Sequence, residues 1–223
     1  DCISPEILKT LLTYGVTTIE LGAQSMDDHV LLQNGRGHTA EQVKKASKMI
    51  HEANISLGLQ MMTGLPGDTI EGARKTARAF SELSPSEVRI YPALTLEGTE
   101  MEKWYREGSY CPPSLEESLE LCADLLDFFE KQKIRVIRLG LHDSPELKDK
   151  LVAGPYHPAF RERCESLRWY RYFCRSLQKK KEDSFVFYVP KRQISQAIGQ
   201  NHENIRKLAA LGYRVKILPQ EVN

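Results

Sequence analysis

The stretch Ser56 to Thr69, S-L-G-L-Q-M-M-T-G-L-P-G-D-T, limits the folds open to this chain more than any other. An apolar run of strand length passes directly into a Gly-Leu-Pro-Gly turn, and Asp68 or Thr69 follows as a helix N-cap. A matching unit lies upstream: T-T-I-E-L-G-A-Q-S from Thr17 to Ser25, followed by N-G-R-G-H-T from Asn34 to Thr39. Strands that alternate with helix-length patterns imply βα units and a parallel sheet. Right-handed crossovers then bring the C-terminal ends of all strands to one rim, where ligands bind in such sheets.

The surrounding punctuation agrees. Ser4-Pro5 opens a helix whose apolar positions fall at Ile7, Leu8, Leu11 and Leu12, and Gly15 stops it. Thr39 with Gln42 forms a capping box for a helix to about Ala53. Ile55 to Met62 reads as a strand buried on both faces. A helix from Ile70 to Leu83 and a strand from Glu87 to Ala93 complete the alternation. Beyond it come a short helix at 99–106, a long helix capped by Ser114, a strand at 134–141, and a helical segment at 146–152. A long helix at 159–177 precedes the Lys/Glu run 179–183, the expected linker. A compact β-α-α-β unit closes the chain: strand 185–189, helices 192–198 and 204–211, strand 214–218.

Composition adds two points. The net charge of +1 hides an asymmetry, since residues 179–223 carry nine Lys/Arg against four Asp/Glu on a mildly acidic remainder. A basic tail suits a polyanion, although a solvated linker explains the Lys run equally well. The five cysteines (Cys2, Cys111, Cys122, Cys164, Cys174) are odd in number and irregular in spacing. That fits a reducing cytoplasm, and no metal site follows from them. No apolar window is long enough to span a membrane. Cys122 reads as a small core residue.

At the rim, Gln24 and Ser25 follow an apolar strand, and they serve either a ligand or the cap of the next helix. Gln60 lies among Leu57, Leu59, Met61 and Met62. Burying its amide without partners costs roughly 1–3 kcal/mol, so it is expected to face a barrel lumen or a ligand. Between Pro158 and Lys181, five arginines interleave with Trp169, Tyr170, Tyr172 and Phe173. An amphipathic helix with aromatics inward and arginines outward is favoured over an RNA-binding surface.

Taken together, E-L-G-A-Q-S, L-Q-N-G-R-G-H-T, M-M-T-G-L-P-G, Y-P-A-L-T-L-E-G-T and V-A-G-P-Y-H-P-A-F resemble radical S-adenosylmethionine (SAM) enzymes. The resemblance is to those related to the catalytic subunit of Elongator and, more distantly, to oxygen-independent coproporphyrinogen oxidase. It covers about residues 1–173. It implies an α/β fold: an incomplete radical SAM (β/α) partial barrel at 1–108 and an Elongator-type α+β extension at 109–178. By the same resemblance Gln24 would contact the ribose of SAM, with Ser25 beside it, and Arg36 the methionyl carboxylate. Gln60 would face the ribose hydroxyls, and Ala93 would offer backbone to the adenine. The C-x-x-x-C-x-x-C loop that holds the [4Fe–4S] cluster in that family is not in this sequence. The chain is therefore expected to be part of an enzyme and inactive alone, to be completed by a preceding segment or to self-associate at the open barrel edge. No catalytic residue is assigned.

The tail A-I-G-Q-N-H-E-N-I-R-K-L-A resembles the helix-loop-helix of a KH domain, which implies a small KH-like β-α-α-β domain at 179–223. Gly199, Gln200, Asn201 and His202 stand where a G-x-x-G loop would clamp a nucleic-acid backbone. Here His202 replaces the second Gly, and Gln200 the usual basic residue. An RNA substrate such as tRNA is the expected partner, in the cytoplasm. A non-catalytic RNA-binding or scaffold protein is the alternative, and acetyl transfer is not expected from so short a tail.

Overall fold

The computed structural model describes residues 3–178 and 183–220. They divide into two compact units, residues 1–158 and residues 159–223. No helix among the described residues is long and apolar enough to cross a membrane.

The first unit is built on a four-stranded parallel sheet. Helix α1 (Pro5–Thr13) leads into β1 (Thr18–Gln24), the short α2 (Asp28–Gln33) and α3 (Ala40–Glu52). Then come β2 (Ser56–Thr63), α4 (Ile70–Glu82) and β3 (Glu87–Pro92). After the two-residue β4 (Thr95–Leu96) follow α5 (Glu100–Arg106), α6 (Leu115–Lys131) and β5 (Arg135–Leu139). Helix α7 (Pro145–Lys150) and β6 (Leu151–Ala153) end the unit. The sheet order is β1-β2-β3-β5, every pair parallel. The alternating βα reading is thus borne out, with β1, β2 and β3 adjacent and Gln24 opposite Met61 at one rim.

The expected caps are in place: Ser4 on α1 with Pro5 beside it, the Thr39–Gln42 box on α3, and a Ser114–Glu117 box on α6. Thr69, rather than Asp68, caps α4. Three short elements, α2, β4 and β6, have no counterpart in the sequence reading. β4 and β6 pair as an antiparallel ribbon, so the helix expected over 146–152 ends at Lys150 and its last residues turn into strand.

One correction bears on the site. Ile55 to Met62 is not buried on both faces. Leu57, Leu59 and Met61 are buried on the side where α3 and α4 pack, whereas Ser56, Gln60 and Met62 are half-exposed. In β3 the same alternation buries Val88 and Ile90 and leaves Glu87, Arg89 and Tyr91 half-exposed. The sheet is therefore covered by helices on one face and open on the other. Strand β1 is an edge strand among the described residues.

The second unit begins with α8 (Phe160–Leu177) and continues with β7 (Ser184–Pro190), α9 (Ile194–Ile198), α10 (Glu203–Ala210) and β8 (Arg214–Gln220). β7 and β8 pair in parallel. Phe173 and Leu177 of α8 form one core with Val189, Ala197 and Leu208. The boundary expected at 178/179 thus moves to Pro158/Ala159, because α8 supplies part of this core. Most of the expected linker, residues 179–182, lies outside the described residues. The aromatics of α8 turn inward in part: Phe173 is buried, Trp169 stacks on it and Phe187 packs against it at 4.6 Å between ring centroids, whereas Tyr172 is exposed. Arg168 pairs with Glu165 at 2.7 Å.

Candidate functional site

Two constellations carry the candidate residues, one in each unit. At the rim of the parallel sheet, β1 ends irregularly: its register on β2 shifts between Leu21 and Gln24, and Gln24 takes φ 63°. A non-glycine residue in the left-handed region costs of order 1 kcal/mol or more and is found where surrounding structure over-determines it. Here the Gln24 side chain folds back over Gly22, where an added Cβ would stand 2.8 Å from the Gln24 amide nitrogen. Gln60 Nε2 donates to Gln24 Oε1 at 3.3 Å. The two amides that sequence singled out separately thus form one pair, Gln24 buried and Gln60 half-exposed.

Arg36 reaches the same end of β2, its Nη2 donating to Met62 Sδ at 3.4 Å. The loop that carries it is fixed by His38, whose Nε2 donates to the Ala23 carbonyl at 3.0 Å. Ser25 is differently used. Its hydroxyl accepts from the Asp27 amide at 3.1 Å and lies 3.5 Å from the Thr76 hydroxyl, so it ties the strand end to α4. Ala93 is fully buried, and its N–H donates to the Thr63 carbonyl. That leaves its own carbonyl, which faces Gly154: a Cβ at Gly154, with φ +114°, would lie 3.1 Å from it. Ala93 also belongs to an apolar cluster with Val30 and Leu65, against which Met62 and Met101 pack.

This set suits SAM. It offers two amides for a diol, a guanidinium for a carboxylate, and the partly buried side chains of Met62 and Met101 as an apolar shelf for a base. The buried Ala93 carbonyl, covered by Gly154, is not open to a ligand. Among the described residues the cysteines do not suit a cluster. Cys122 and Cys164 are buried, Cys111 is exposed, Cys174 is half-buried, and Cys2 lies outside the described residues. Burial pushes the Cys122 thiol up to about 12, against the hydrogen bond it shares with Thr63, so it stays protonated. Among the described residues no three His, Cys, Asp or Glu side chains converge on a metal position.

Sequence reasoning missed the residues on the open face of the sheet. Glu20, Arg89, Tyr91 and Arg138 stand there beside Gln60, around a cleft of about 720 Å³ lined by Gln60, Arg89, Tyr91 and Arg138. Glu20 and Arg89 sit on β1 and β3, which are not neighbours, yet Arg89 Nε donates to Glu20 Oε2 at 2.6 Å. Gly58 of the intervening β2 makes the crossing possible, since a Cβ there would lie 3.3 Å from Glu20 Cγ. The visible signal was the alternation in E-V-R-I-Y-P. Asp68, in the Gly64–Thr69 loop, was also overlooked as a titrating group. Burial pushes its carboxyl up to about 6, against the amides of Thr69 and Gly64.

In the second unit, Gly199 (φ 80°), Asn201 (φ 50°) and His202 (φ 61°) all adopt left-handed backbone. Gln200, Asn201 and His202 are exposed, while Gly199 is buried and has no room for a Cβ beside Ser166 Oγ at 2.9 Å. The loop is anchored by buried Asn204, whose Nδ2 donates to Ser166 O, Ser166 Oγ and Ala197 O at 2.9–3.0 Å.

Comparison with known proteins agrees with this fold. Residues 1–80 match the Radical SAM superfamily, and residues 85–168 match the Radical_SAM C-terminal domain. A tRNA uridine(34) acetyltransferase of Methanocaldococcus infernus is 32% identical over 124 residues, 54% of this chain and 23% of that protein. One of Dehalococcoides mccartyi is 30% identical over 156 residues, 66% of this chain and 34% of that protein. The solved structure of M. infernus Elp3 with an N-terminal deletion superposes with a TM-score of 0.64 at 25% identity, covering 78% of this chain and 39% of that one. The chain thus spans well under half the length of these relatives. It belongs to the radical SAM superfamily, and its similarity is to the Elongator-type tRNA uridine(34) acetyltransferases.

Proposed function

We propose that this chain is the SAM-holding portion of a radical SAM enzyme that modifies RNA, with tRNA as the substrate. The observation that carries the reading is the Gln24–Gln60 amide pair beside Arg36 at one strand-end rim. Gln24 and Gln60 would hold the ribose and Arg36 the carboxylate, with the base against the apolar shelf of Met62 and Met101 that packs on Ala93. Bound SAM would supply radical chemistry to such a reaction when reduced by a [4Fe–4S] cluster. Among the described residues no side chains converge to hold the cluster, so its ligands would come from elsewhere, with added strands pairing along the open side of β1. The chain by itself would then bind SAM without turning it over.

The second unit would serve as the RNA-holding part. Its KH-like loop exposes Gln200, Asn201 and His202, and basic residues flank it at Lys191, Arg192, Arg206 and Lys207. Acetyl transfer would need a further domain. The relatives' printed names favour tRNA.

Calorimetric titration of the chain with SAM tests the first reading. Arg36→Gln and Gln60→Leu should each weaken binding by roughly tenfold, the worth of one charge-assisted or buried hydrogen bond. Unchanged affinity in both variants would remove SAM from this rim. Filter binding of single-stranded RNA at low and moderate salt tests the second, with a steep loss as salt rises. RNA binding without any SAM binding would favour a non-catalytic RNA-binding scaffold instead.

A further inference from the structure

The open face of the sheet carries more positive charge than its own carboxylates neutralise. Arg89 and Arg138 are direct partners in the β3–β5 register, so two guanidinium groups leave adjacent strands on the same half-exposed face. Adjacent strands lie about 4.8 Å apart, and like charges placed so close destabilise a sheet unless something answers them. Glu20 answers Arg89 at 2.6 Å. Arg138 has no carboxylate within ion-pairing distance among the described residues. It donates from Nε to the Gly140 carbonyl at 3.3 Å, which leaves its two terminal nitrogens directed elsewhere. Tyr91 and His142 line the same cleft of about 720 Å³, together with the apolar side chains of Leu94 and Leu141. A cleft with apolar walls and one uncompensated guanidinium focuses its field on an incoming anion.

We propose that Arg138, with Tyr91 and His142 beside it, forms an oxyanion subsite that takes a phosphate or carboxylate of the substrate. The subsite rests on the reading of the rim as a SAM site only for its role in the reaction. The two positions adjoin one cleft, which Gln60 and Met62 also line, but they stand at different strands: Arg36 at the end of β2 over Met62, and Arg138 on β5. A planar guanidinium with both terminal nitrogens available binds such a group in bidentate fashion. The Glu20–Arg89 pair acts as the neutral neighbour that keeps the site to a single unanswered charge.

The test is calorimetric titration of the chain at low ionic strength, with inorganic phosphate in one arm and succinate in the other. Each titration is repeated on Arg138→Gln, on Arg138→Lys, and on a Lys45→Gln/Lys48→Gln variant that removes surface charge from α3, on the covered face of the sheet. Circular dichroism verifies the fold. The proposal expects at least a tenfold loss of affinity in Arg138→Gln, partial retention in Arg138→Lys, and no loss in the α3 variant. Selectivity for phosphate identifies a phosphoryl-bearing substrate, and selectivity for succinate a carboxylate-bearing one. Equal affinity in wild type and Arg138→Gln, or no binding of either anion, overturns the subsite. So does a loss of SAM affinity in Arg138→Gln as large as that in Arg36→Gln, which would make this guanidinium part of the SAM site. Intact anion binding without SAM binding would sink the reading of the rim and leave the subsite standing.

Discussion

The rim of the sheet and the loop of the second unit solve the same problem by opposite means. Each must hold polar groups ready at a place where the chain turns. At the rim, side chains from different strands hold one another: Gln60 grips Gln24, Arg36 leans on Met62, and Glu20 reaches over β2 to Arg89. In the loop, the backbone itself is set, with Gly199, Asn201 and His202 in left-handed conformations above a single buried amide. A site made of crossing side chains should degrade piecemeal. One made of backbone should hinge on its anchor.

The sharpest test of that contrast is Asn204→Ala. It leaves buried acceptors of Ser166 and Ala197 without their donor, and it should destabilise the second unit by about 2–3 kcal/mol. Urea denaturation followed by Trp169 fluorescence reads this; a loss below about 0.5 kcal/mol would mean that the loop does not depend on its anchor.

Gly58→Val should come next, at about 1–3 kcal/mol, because the added atoms fall against Glu20 and force the crossing ion pair apart. The second unit's transition should stay where it was.

Asp68 gives a pH-dependent signature confined to the first unit. Its folded carboxyl titrates near 6, above the ordinary 3.8. The protonated form therefore contributes stability that is complete below about pH 3.8 and is lost as pH rises through about 6. Asp68→Asn should stabilise the chain at pH 7–8 by about 1 kcal/mol, a figure reduced for partial solvent screening, and give no gain at pH 3.5. Equal effects at both pH values would refute the shift.

The smallest effect belongs to His202→Gly, which removes a side chain from left-handed backbone. Relief of that strain and the added flexibility of glycine oppose each other, so stability should rise by no more than about 0.5–1 kcal/mol. RNA affinity should increase as the loop opens to an approaching backbone. Unchanged RNA retention in filter binding would show that His202 does not obstruct it.

What could be read from sequence was whatever local chemistry decides. Ser4, Thr39 and Ser114 announce helix starts because a hydroxyl at the right distance meets an orphan amide, and the structure has all three. The strand-end motifs were legible because Gly, Pro and polar residues interrupt apolar runs. The Gln24–Gln60 pair was readable only as two separate residues, since their meeting depends on a register shift in β1. Arg138 was hidden for a similar reason: β3 and β5 slip register between Val88 and Arg89, so no spacing in the sequence aligns the two arginines. The boundary at Pro158 escaped because it rests on contacts between residues far apart in sequence, such as Asn204 with Ser166. A run of lysines and glutamates is the louder signal, but loudness is not packing.

Gly154 has a consequence for how such proteins can diverge. At φ +114° with no space beside the Ala93 carbonyl, it lets the segment after α7 lie directly on the strand end, main chain against main chain. A joint between side chains can be renegotiated by exchanging one shape for another; a joint between two backbones cannot. The extension that follows β5 is therefore not a detachable accessory to the sheet. A chimaera that grafts a foreign extension here inherits the obligation to meet Ala93 with a glycine, or it loses the contour of the rim.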